Sequence, residues 1–323
     1  MVLYNAGLVI CWCLMSDRFA LSRPIQPLLA FLARHFPEAY RRAPDFWRLT
    51  RMHRPIGIYL LLWPTLWCLW IAAQGRPDPL LVVIFILGTV CMRAAGCCIN
   101  DYADRNFDGK VRRTVDRPIA AGKVSPLEAL WTCAILCLVA FGLVLLTNTL
   151  TILMSLVALA LALCYPFAKR HTHLAQVVLG AAFSWGGMMA FTAQTGALPL
   201  QALLLYVANL LWTVAYDTEY AMADREDDLK LGLKSTAILF AEADRVMIGV
   251  LQLLFLFTLW LSAGHFGLGG WFLAGLWLAA GLFVYQQLLI FDRDRHKCFR
   301  AFLHNNNVGL VIFAATVVDL LIP

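Results

Sequence analysis

Long apolar runs alternate with short charged segments along most of the chain. Nine runs of about 20 residues, the length that spans a bilayer as a helix, lie at 55–73, 80–99, 126–147, 150–167, 173–194, 200–216, 246–263, 269–291 and 301–322. Within each run the apolar residues are continuous and do not alternate with polar ones, which argues against the strands of a membrane barrel. The pattern predicts an all-α polytopic membrane protein with a bundle of nine transmembrane helices.

Composition supports a membrane protein. Hydrophobic residues make up 61% of the 323 residues and charged residues 14%, with a mean hydropathy of +0.72, whereas roughly a quarter of a soluble chain is charged. Residues 17–54 mix Arg with Leu, Phe and Trp, as in helices that lie in the membrane interface. We therefore predict an N-terminal cytoplasmic or interfacial segment at 1–50 and one nine-helix domain at 51–323.

Basic residues are distributed unevenly between the two ends of the runs. With the runs numbered in chain order, most of the 26 Lys and Arg residues precede run 1 or lie between runs 2 and 3, 4 and 5, 6 and 7, or 8 and 9. Arg76 alone falls on the opposite side. The positive-inside rule then predicts that the N-terminus is cytoplasmic. We expect a multi-pass protein of the inner (cytoplasmic) membrane. Topology accounts for the net charge of +6, so we expect no nucleic acid partner.

Acidic residues are concentrated in two segments on the predicted cytoplasmic side. Ten of the 20 Asp and Glu residues follow either the second or the sixth run: Asp101, Asp104, Asp108, Asp116, Asp217, Glu219, Asp224, Glu226, Asp227 and Asp228. If both helices continue past the lipid, Asn100, Asp104 and Asp108 share one helix face within about 80°, together with Arg93, and Asp217, Asp224 and Asp228 share another within about 40°. Each helix end is then expected to carry a stripe of carboxylates.

The two acidic segments resemble each other. Residues 103–110 read ADRNFDGK and residues 223–230 read ADREDDLK. Such an internal match, four helices apart, indicates a duplicated structural unit whose equivalent helix ends face a common centre.

Several carboxylates at a low-dielectric boundary favour a bound cation. Hard oxygen ligands suit Mg²⁺ or Ca²⁺, and Mg²⁺ is usually held by one or two carboxylates together with substrate phosphates. Phosphate oxygens would be bound by the nearby cations, which are Lys110, Arg112, Arg113, Lys169, Arg170 and Lys230. The segments thus predict a site for a diphosphate carried on a lipid-soluble group, although a single Asp at a membrane edge is more often a helix cap or an arginine partner.

The motifs NDYADRNFDG (100–109) and DTEYAMADREDD (217–228) resemble the two Asp-rich motifs of the UbiA superfamily of intramembrane aromatic prenyltransferases. Further similar stretches are RPIGIYLLLWPTLW (54–67), YPFAKRHTHLAQVVLG (165–180), FVYQQ (283–287) and NNNVGL (305–310). The resemblance runs from about Arg51 to the end of the chain. It implies nine transmembrane helices around a central cavity that opens sideways to lipid.

The resemblance also implies a site and a cofactor. Mg²⁺ would be held by Asn100, Asp104 and Asp108 from the first motif and by Asp224 and Asp228 from the second, with Asp101 and Asp227 as weaker candidates. The four Asp residues at 104, 108, 224 and 228 would then be the catalytic residues. A polyprenyl diphosphate would be bound by Arg93, Lys110, Arg112, Tyr165, Lys169, Arg170 and Lys230.

The similar stretches are closest to the ubiquinone-pathway branch of the family, which implies that 4-hydroxybenzoate is prenylated on the ring carbon ortho to its hydroxyl. Arg51 is our candidate for binding the carboxylate of this acceptor. Two alternatives stay open, namely another acceptor (homogentisate, a naphthoate, a porphyrin or a chlorin) and a membrane transporter that uses the carboxylates as a binding site. The sequence does not fix the prenyl chain length or the base that removes the ring proton.

Overall fold

The computed structural model describes residues 31, 33–106, 108–110 and 114–322, and this part of the chain contains helices and turns but no strand. The helices, in chain order, are α1 Pro37–Leu49, α2 Ile56–Ala72, α3 Pro79–Asp104, α4 Pro126–Val144, α5 Thr149–His171, α6 Ala175–Thr195, α7 Ala202–Leu231, α8 Thr236–Phe240, α9 Asp244–Phe266, α10 Gly270–Leu289 and α11 Arg295–Leu321. Two 3-10 turns cover Asp108–Lys110 and Ala241–Ala243. The predicted all-α class is confirmed.

The described residues contain seven helical segments that are long and apolar enough to cross a membrane, namely α3, α4, α5, α6, α10, α11 and the segment Thr236–Phe266, which consists of α8, a 3-10 turn and α9. Helix α2 is apolar but only 17 residues long, and α7 contains the second acidic segment. The chain is therefore a multi-pass membrane protein, and the count of nine spans stays a prediction.

Each predicted apolar run coincides with one long helix, and no run passes the end of its helix by more than three residues, yet several helices extend well beyond their runs. Helix α3 continues to Asp104, α5 to His171 and α7 to Leu231, while α11 already begins at Arg295. A helix ends where its last carbonyls are capped and not where the lipid ends. In α7 the cap is Gly232, whose φ of +68° is a conformation that glycine adopts without strain.

The first acidic segment does not form one continuous helix face. Helix α3 ends at Asp104, and Asp108 begins a separate 3-10 turn. The prediction that α3 carries Asn100, Asp104 and Asp108 on one face is therefore wrong. Thr114 Oγ1 donates to the main-chain oxygen of Asp108 at 2.8 Å, so residues further along the chain hold Asp108 outside the helix. Helix α7, by contrast, continues through Asp228 as predicted.

The described residues form two compact units. The first contains the described chain up to Pro55 together with Arg93–Cys137, and the second contains Ile56–Met92 and the chain from Leu138 onward. The predicted division at residues 50 and 51 stays a prediction.

In the first unit, helix α1 is amphipathic. Ala43 and Trp47, one turn apart, are buried, while Arg41 and Arg48 are exposed on another side of the helix. This pattern fits the interfacial segment that we predict at 1–50, although residues 1–30 and 32 of that segment lie outside the described residues.

The core of the second unit is rich in aromatic side chains. Trp67, Trp212, Phe255 and Phe272 are almost completely buried, and the rings of Trp212 and Phe255 stack with centroids 5.6 Å apart. Helix α7 packs against α6, α8, α9 and α11. The second acidic segment is thus part of the most heavily packed helix of this unit.

The outward-facing side chains of the second unit are large and apolar. Trp277 is 80% exposed, and Leu253 and Leu288 are each 68% exposed. Extensive exposed apolar surface is unfavourable in water and is expected where a helix faces lipid.

Candidate active site

In the first unit, the carboxylate of Asp101 is completely buried between two arginines. Arg51 donates to Asp101 Oδ1 at 2.6 Å, and Arg117 Nη1 lies 3.3 Å from the same oxygen. A buried carboxylate needs such partners because its desolvation is costly. Its two arginine partners therefore fix Asp101 in place, and its carboxylate is less exposed than those of Asp104 and Asp108.

Arg117 also binds Asp108. Its Nη1 lies 3.0 Å from Oδ1 and 2.9 Å from Oδ2 of Asp108. Burial raises the pKa of Asp108 to about 6; Arg117 opposes this shift, and the carboxylates of Asp101 and Asp104 add to it. The three acidic residues of the motif are therefore close enough to repel one another, which favours a bound cation.

Asn100 and Asp104 are half-buried at the end of α3. The amide oxygen Oδ1 of Asn100 is shielded from solvent and accepts no hydrogen bond from the described residues. Leaving a buried acceptor unsatisfied costs about 1–3 kcal/mol. This oxygen and the neighbouring carboxylates are hard donors of the type that Mg²⁺ prefers.

The structure assigns Arg51 a partner that the sequence did not reveal. Its Nη2 is committed to Asp101, whereas its Nε is buried and forms no hydrogen bond with the described residues. Binding of an aromatic carboxylate by Arg51 stays a prediction. Sequence reasoning also missed Arg117. It is one of four Arg residues between α3 and α4, the others being 105, 112 and 113, and no sequence pattern distinguishes it from them.

In the second unit, Asp224 and Asp228 are half-buried on α7, and Asp217 lies buried two turns earlier. Asp227 is bound by Arg295 of α11, with Nη2 2.7 Å from Asp227 Oδ2. The same nitrogen lies 3.9 Å from Asp224 Oδ1. The structure thus brings Asp224 and Asp227 together around one arginine.

A buried polar network on α7 was not foreseen from the sequence. Glu219 is fully buried and accepts from Asn305 Nδ2 at 2.8 Å and from Gln252 Nε2 at 3.4 Å. Gln252 also donates to Gln286, and Asn305 accepts from Trp212. Amide side chains within otherwise apolar runs were the available signal, because buried polar groups in a membrane require partners.

The predicted diphosphate-binding residues belong to several elements. Arg93 is half-buried on α3, Tyr165 is half-buried and Arg170 exposed on α5, and Lys230 is exposed near the end of α7. The side chains of Lys110 and Lys169, and all of Arg112, lie outside the described residues. Their roles stay predictions.

Among the described residues, no group of three or more His, Cys, Asp and Glu side chains is arranged to hold a metal ion by itself. Mg²⁺ commonly takes only one or two carboxylates from the protein and completes its octahedron with water and substrate phosphates. The donor set, consisting of carboxylates and an amide oxygen, therefore fits Mg²⁺ that is bound jointly with a diphosphate.

Comparison with known proteins identifies relatives along most of the chain. The model of the UbiA prenyltransferase family matches residues 61–308. A Pseudomonas fluorescens (strain SBW25) protein named 4-hydroxybenzoate octaprenyltransferase is 62% identical over 278 residues, which are 86% of this chain and 94% of the relative.

Solved structures show the same fold. The apo structure of a UbiA homologue from Aeropyrum pernix K1 superposes with a TM-score of 0.71 at 25% identity, covering 80% of this chain and 97% of the homologue. A UbiA homologue from Archaeoglobus fulgidus, described as bound to GPP and Mg²⁺, has a TM-score of 0.64 at 17% identity, covering 86% of this chain and all of the homologue. The chain belongs to the UbiA prenyltransferase family.

Proposed function

We propose that this protein transfers a polyprenyl group from polyprenyl diphosphate to the ring carbon ortho to the hydroxyl of 4-hydroxybenzoate and releases diphosphate. The observation that carries the proposal is the 62% identity, over 86% of the chain, to a protein named 4-hydroxybenzoate octaprenyltransferase. The reaction belongs to ubiquinone biosynthesis.

The proposed metal is Mg²⁺, held by Asn100, Asp104 and Asp108 of the first motif and by Asp224 and Asp228 of the second. The unsatisfied amide oxygen of Asn100 and the half-buried carboxylates of Asp104, Asp224 and Asp228 support this assignment. When bound, Mg²⁺ supplies positive charge that stabilises the departing diphosphate.

Cationic and polar side chains of the chain itself bind the diphosphate oxygens. Charge-assisted hydrogen bonds to phosphate are short and strong, and they strengthen as negative charge develops on the leaving group. We assign this role to Arg93, Lys110, Arg112, Tyr165, Lys169, Arg170 and Lys230.

The chemical step exchanges one bond for another. The allylic C–O bond breaks with its electron pair going to the diphosphate, the ring carbon bonds to the allylic carbon, and the ring then loses a proton to restore aromaticity. An apolar environment prevents water from capturing the allylic cation. Arg51 orients the acceptor by its carboxylate.

We place the site on the cytoplasmic side of the inner membrane, with the N-terminus on the same side. The concentration of Lys and Arg in the connections that carry both motifs supports this orientation. The partners are thus polyprenyl diphosphate, 4-hydroxybenzoate and the lipid bilayer.

An assay on membranes that contain the full chain tests the function. With polyprenyl diphosphate and ring-labelled 4-hydroxybenzoate, we expect a prenylated product that disappears on chelation and returns with Mg²⁺. Asp104→Asn and Asp224→Asn should each lower the rate by at least about 100-fold, because a metal ligand and its charge are lost. Asp116→Asn is the matched control, since Asp116 is an exposed carboxylate in the same connection as Asp108.

Absence of a Mg²⁺-dependent product, or full activity in both motif variants, would overturn the proposal. Replacing the acceptor by homogentisate, a naphthoate or a porphyrin in the same assay identifies another member of the family. Metal-dependent flux into proteoliposomes without any product identifies a transporter.

A further inference from the structure

Two residues of the second acidic segment that are outside the proposed metal set both form ion pairs. Asp227 accepts from Arg295 Nη2 at 2.7 Å, and the two side chains are 20% and 40% exposed. Arg225 Nη1 lies 3.4 Å from Asp244 Oδ2, and Asp244 is completely buried. The segment ADREDD is thus tied at two points to other elements of the second unit.

Both ties lead to residues 293–295, where the connection between α10 and α11 meets the start of α11, one directly and the other through Asp244, the first residue of α9. Arg295 is the first residue of α11, and Arg293 donates through Nε to both carboxylate oxygens of Asp244, at 3.0 and 3.1 Å. Asp244 therefore bridges Arg225 of α7 and Arg293 of the connection. Residues 293–295 consequently hold Asp227 directly and Arg225 through Asp244.

This connection is itself well fixed. Asp294 caps α11 by accepting from the main-chain N–H of Lys297 at 2.9 Å. Arg293 has a φ of +55°, a strained conformation for a residue with a side chain, which persists only where surrounding contacts enforce it. Its hydrogen bonds to Asp244 and to the main-chain oxygen of Glu242 provide those contacts.

Helical geometry places the two tied residues on either side of the proposed metal face. With about 100° per residue, Asp228 lies about 40° from Asp224, while Arg225 lies about 100° to one side and Asp227 about 60° to the other. Ion pairs at both flanks restrict rotation of this end of α7. They therefore determine how Asp224 and Asp228 are presented.

We propose that Arg295 is a positioning residue of the active site, which holds Asp227 and so orients Asp224 and Asp228 for metal binding. On this assignment Asp227 is an anchor and not a metal ligand. The proposal rests on the proposed function. It adds that, within the second motif, Asp227 anchors the helix while Asp224 and Asp228 bind the metal.

Exchanging the charges of Asp227 and Arg295 distinguishes an anchor role of Asp227 from a metal-ligand role. Arg295→Ala and Asp227→Ala each break the tie, so each should raise the half-saturating Mg²⁺ concentration by about tenfold, as is typical when residues that support metal ligands are removed. The double variant Asp227→Arg/Arg295→Asp restores the pair with exchanged charges and should return the Mg²⁺ requirement to within about threefold of wild type. A metal-ligand role for Asp227 instead predicts that the exchanged variant is as defective as Asp227→Ala.

The readout is the rate of prenyl transfer against Mg²⁺ concentration in membranes with equal amounts of each full-length variant. Loss of folded protein lowers the maximal rate but does not move the half-saturating concentration, so the latter reports on positioning. Lys297→Ala is the matched control, because it breaks the exposed pair with Asp292 in the same turn of α11 without touching the motif. Where Arg295→Ala fails to accumulate, Arg295→Lys keeps the charge and should give a smaller shift in the same direction.

An unchanged Mg²⁺ requirement in Arg295→Ala or Arg295→Lys overturns the proposal, as does an exchanged variant no better than Asp227→Ala. Failure of the proposed function is distinguishable, because wild-type membranes would then form no prenylated product at any Mg²⁺ concentration.

Discussion

Asp101 and Asp104 are three residues apart at the end of α3, yet their environments differ. Asp101 is completely buried and shared by Arg51 and Arg117, whereas Asp104 is half-buried. Residue type and spacing alone treat both as candidate ligands. Burial and ion pairing assign Asp101 to the support of the motif and leave Asp104 in the proposed metal set.

This difference predicts that one of two matched substitutions mainly lowers stability and that the other mainly abolishes activity. Asp101→Ala leaves two arginines without their common carboxylate and should lower the free energy of unfolding by about 3 kcal/mol. Asp104→Ala should lower it by less than about 1 kcal/mol but abolish Mg²⁺-dependent activity. Thermal unfolding of the purified protein in detergent, together with the prenyl-transfer assay, checks both. Equal stability of the two variants would contradict the structural role of Asp101.

Glu219 gives a second prediction for a single residue. Glu219→Ala removes the acceptor used by Asn305 and Gln252 and creates a cavity, so we expect a loss of about 2 kcal/mol in the free energy of unfolding. Glu219→Gln keeps the volume and one acceptor oxygen and should lose less than half as much. The same unfolding measurement compares them, and a Glu219→Ala variant as stable as wild type would rule out the network as a stabilising feature.

At the scale of the helices, close approach depends on small residues at specific contacts. A Cβ atom added at Gly187 of α6 would lie 2.7 Å from Cys68 Sγ and 3.3 Å from Cys68 Cβ, both on α2. Helices in membranes pack through such positions because there is little hydrophobic driving force between them in lipid. Glycine at 187 therefore avoids a clash between α6 and the Cys68 side chain of α2.

Gly187→Ala should accordingly destabilise the protein by about 1–3 kcal/mol through overpacking. Because the nearest atom is the sulfur, adding Cys68→Ala should recover at least half of that loss. Gly264→Ala is the control, since its Cβ would meet nothing within 4 Å and alanine favours a helix more than glycine does. If Cys68→Ala does not improve the Gly187→Ala variant, the contact is not the cause.

At the scale of the whole molecule, the distribution of charge predicts how the chain is oriented in the membrane. Lys123 lies in the connection between α3 and α4, and Ala197 lies in the connection between α6 and α7; both residues are exposed. The positive-inside rule assigns the first connection to the cytoplasm and the second to the opposite side.

Cysteines introduced at these two positions test the orientation in a background without the native cysteines. A membrane-impermeant maleimide should label Lys123→Cys only in inside-out vesicles and Ala197→Cys only in right-side-out vesicles. Labelling of both from the same side would contradict the predicted topology, and permeabilised membranes provide the reference for full labelling.

The positions of the long helices could be predicted from the sequence because a membrane helix depends on the local composition of its own segment. Continuous apolar runs identified every long helix from α2 to α7 and from α9 to α11, since only a helix satisfies all its backbone hydrogen bonds within lipid. Helix ends were less predictable. The polar extensions of α3 and α7 depend on caps and on side chains that bind them, and neither affects the hydropathy pattern.

The sequence by itself determined the all-α membrane class, the repeated ADRxxDxK segments and the residue types suited to a metal-bound diphosphate, because composition, periodicity and spacing are encoded along the chain. Only the tertiary structure decided that Asp108 leaves the α3 helix, that Arg51 and Arg117 enclose Asp101, and that Arg295 holds Asp227. Each of these depends on an ion pair or hydrogen bond between residues 6 to 68 positions apart. The energy of such pairs is set by distance and burial in three dimensions, which a linear pattern does not contain.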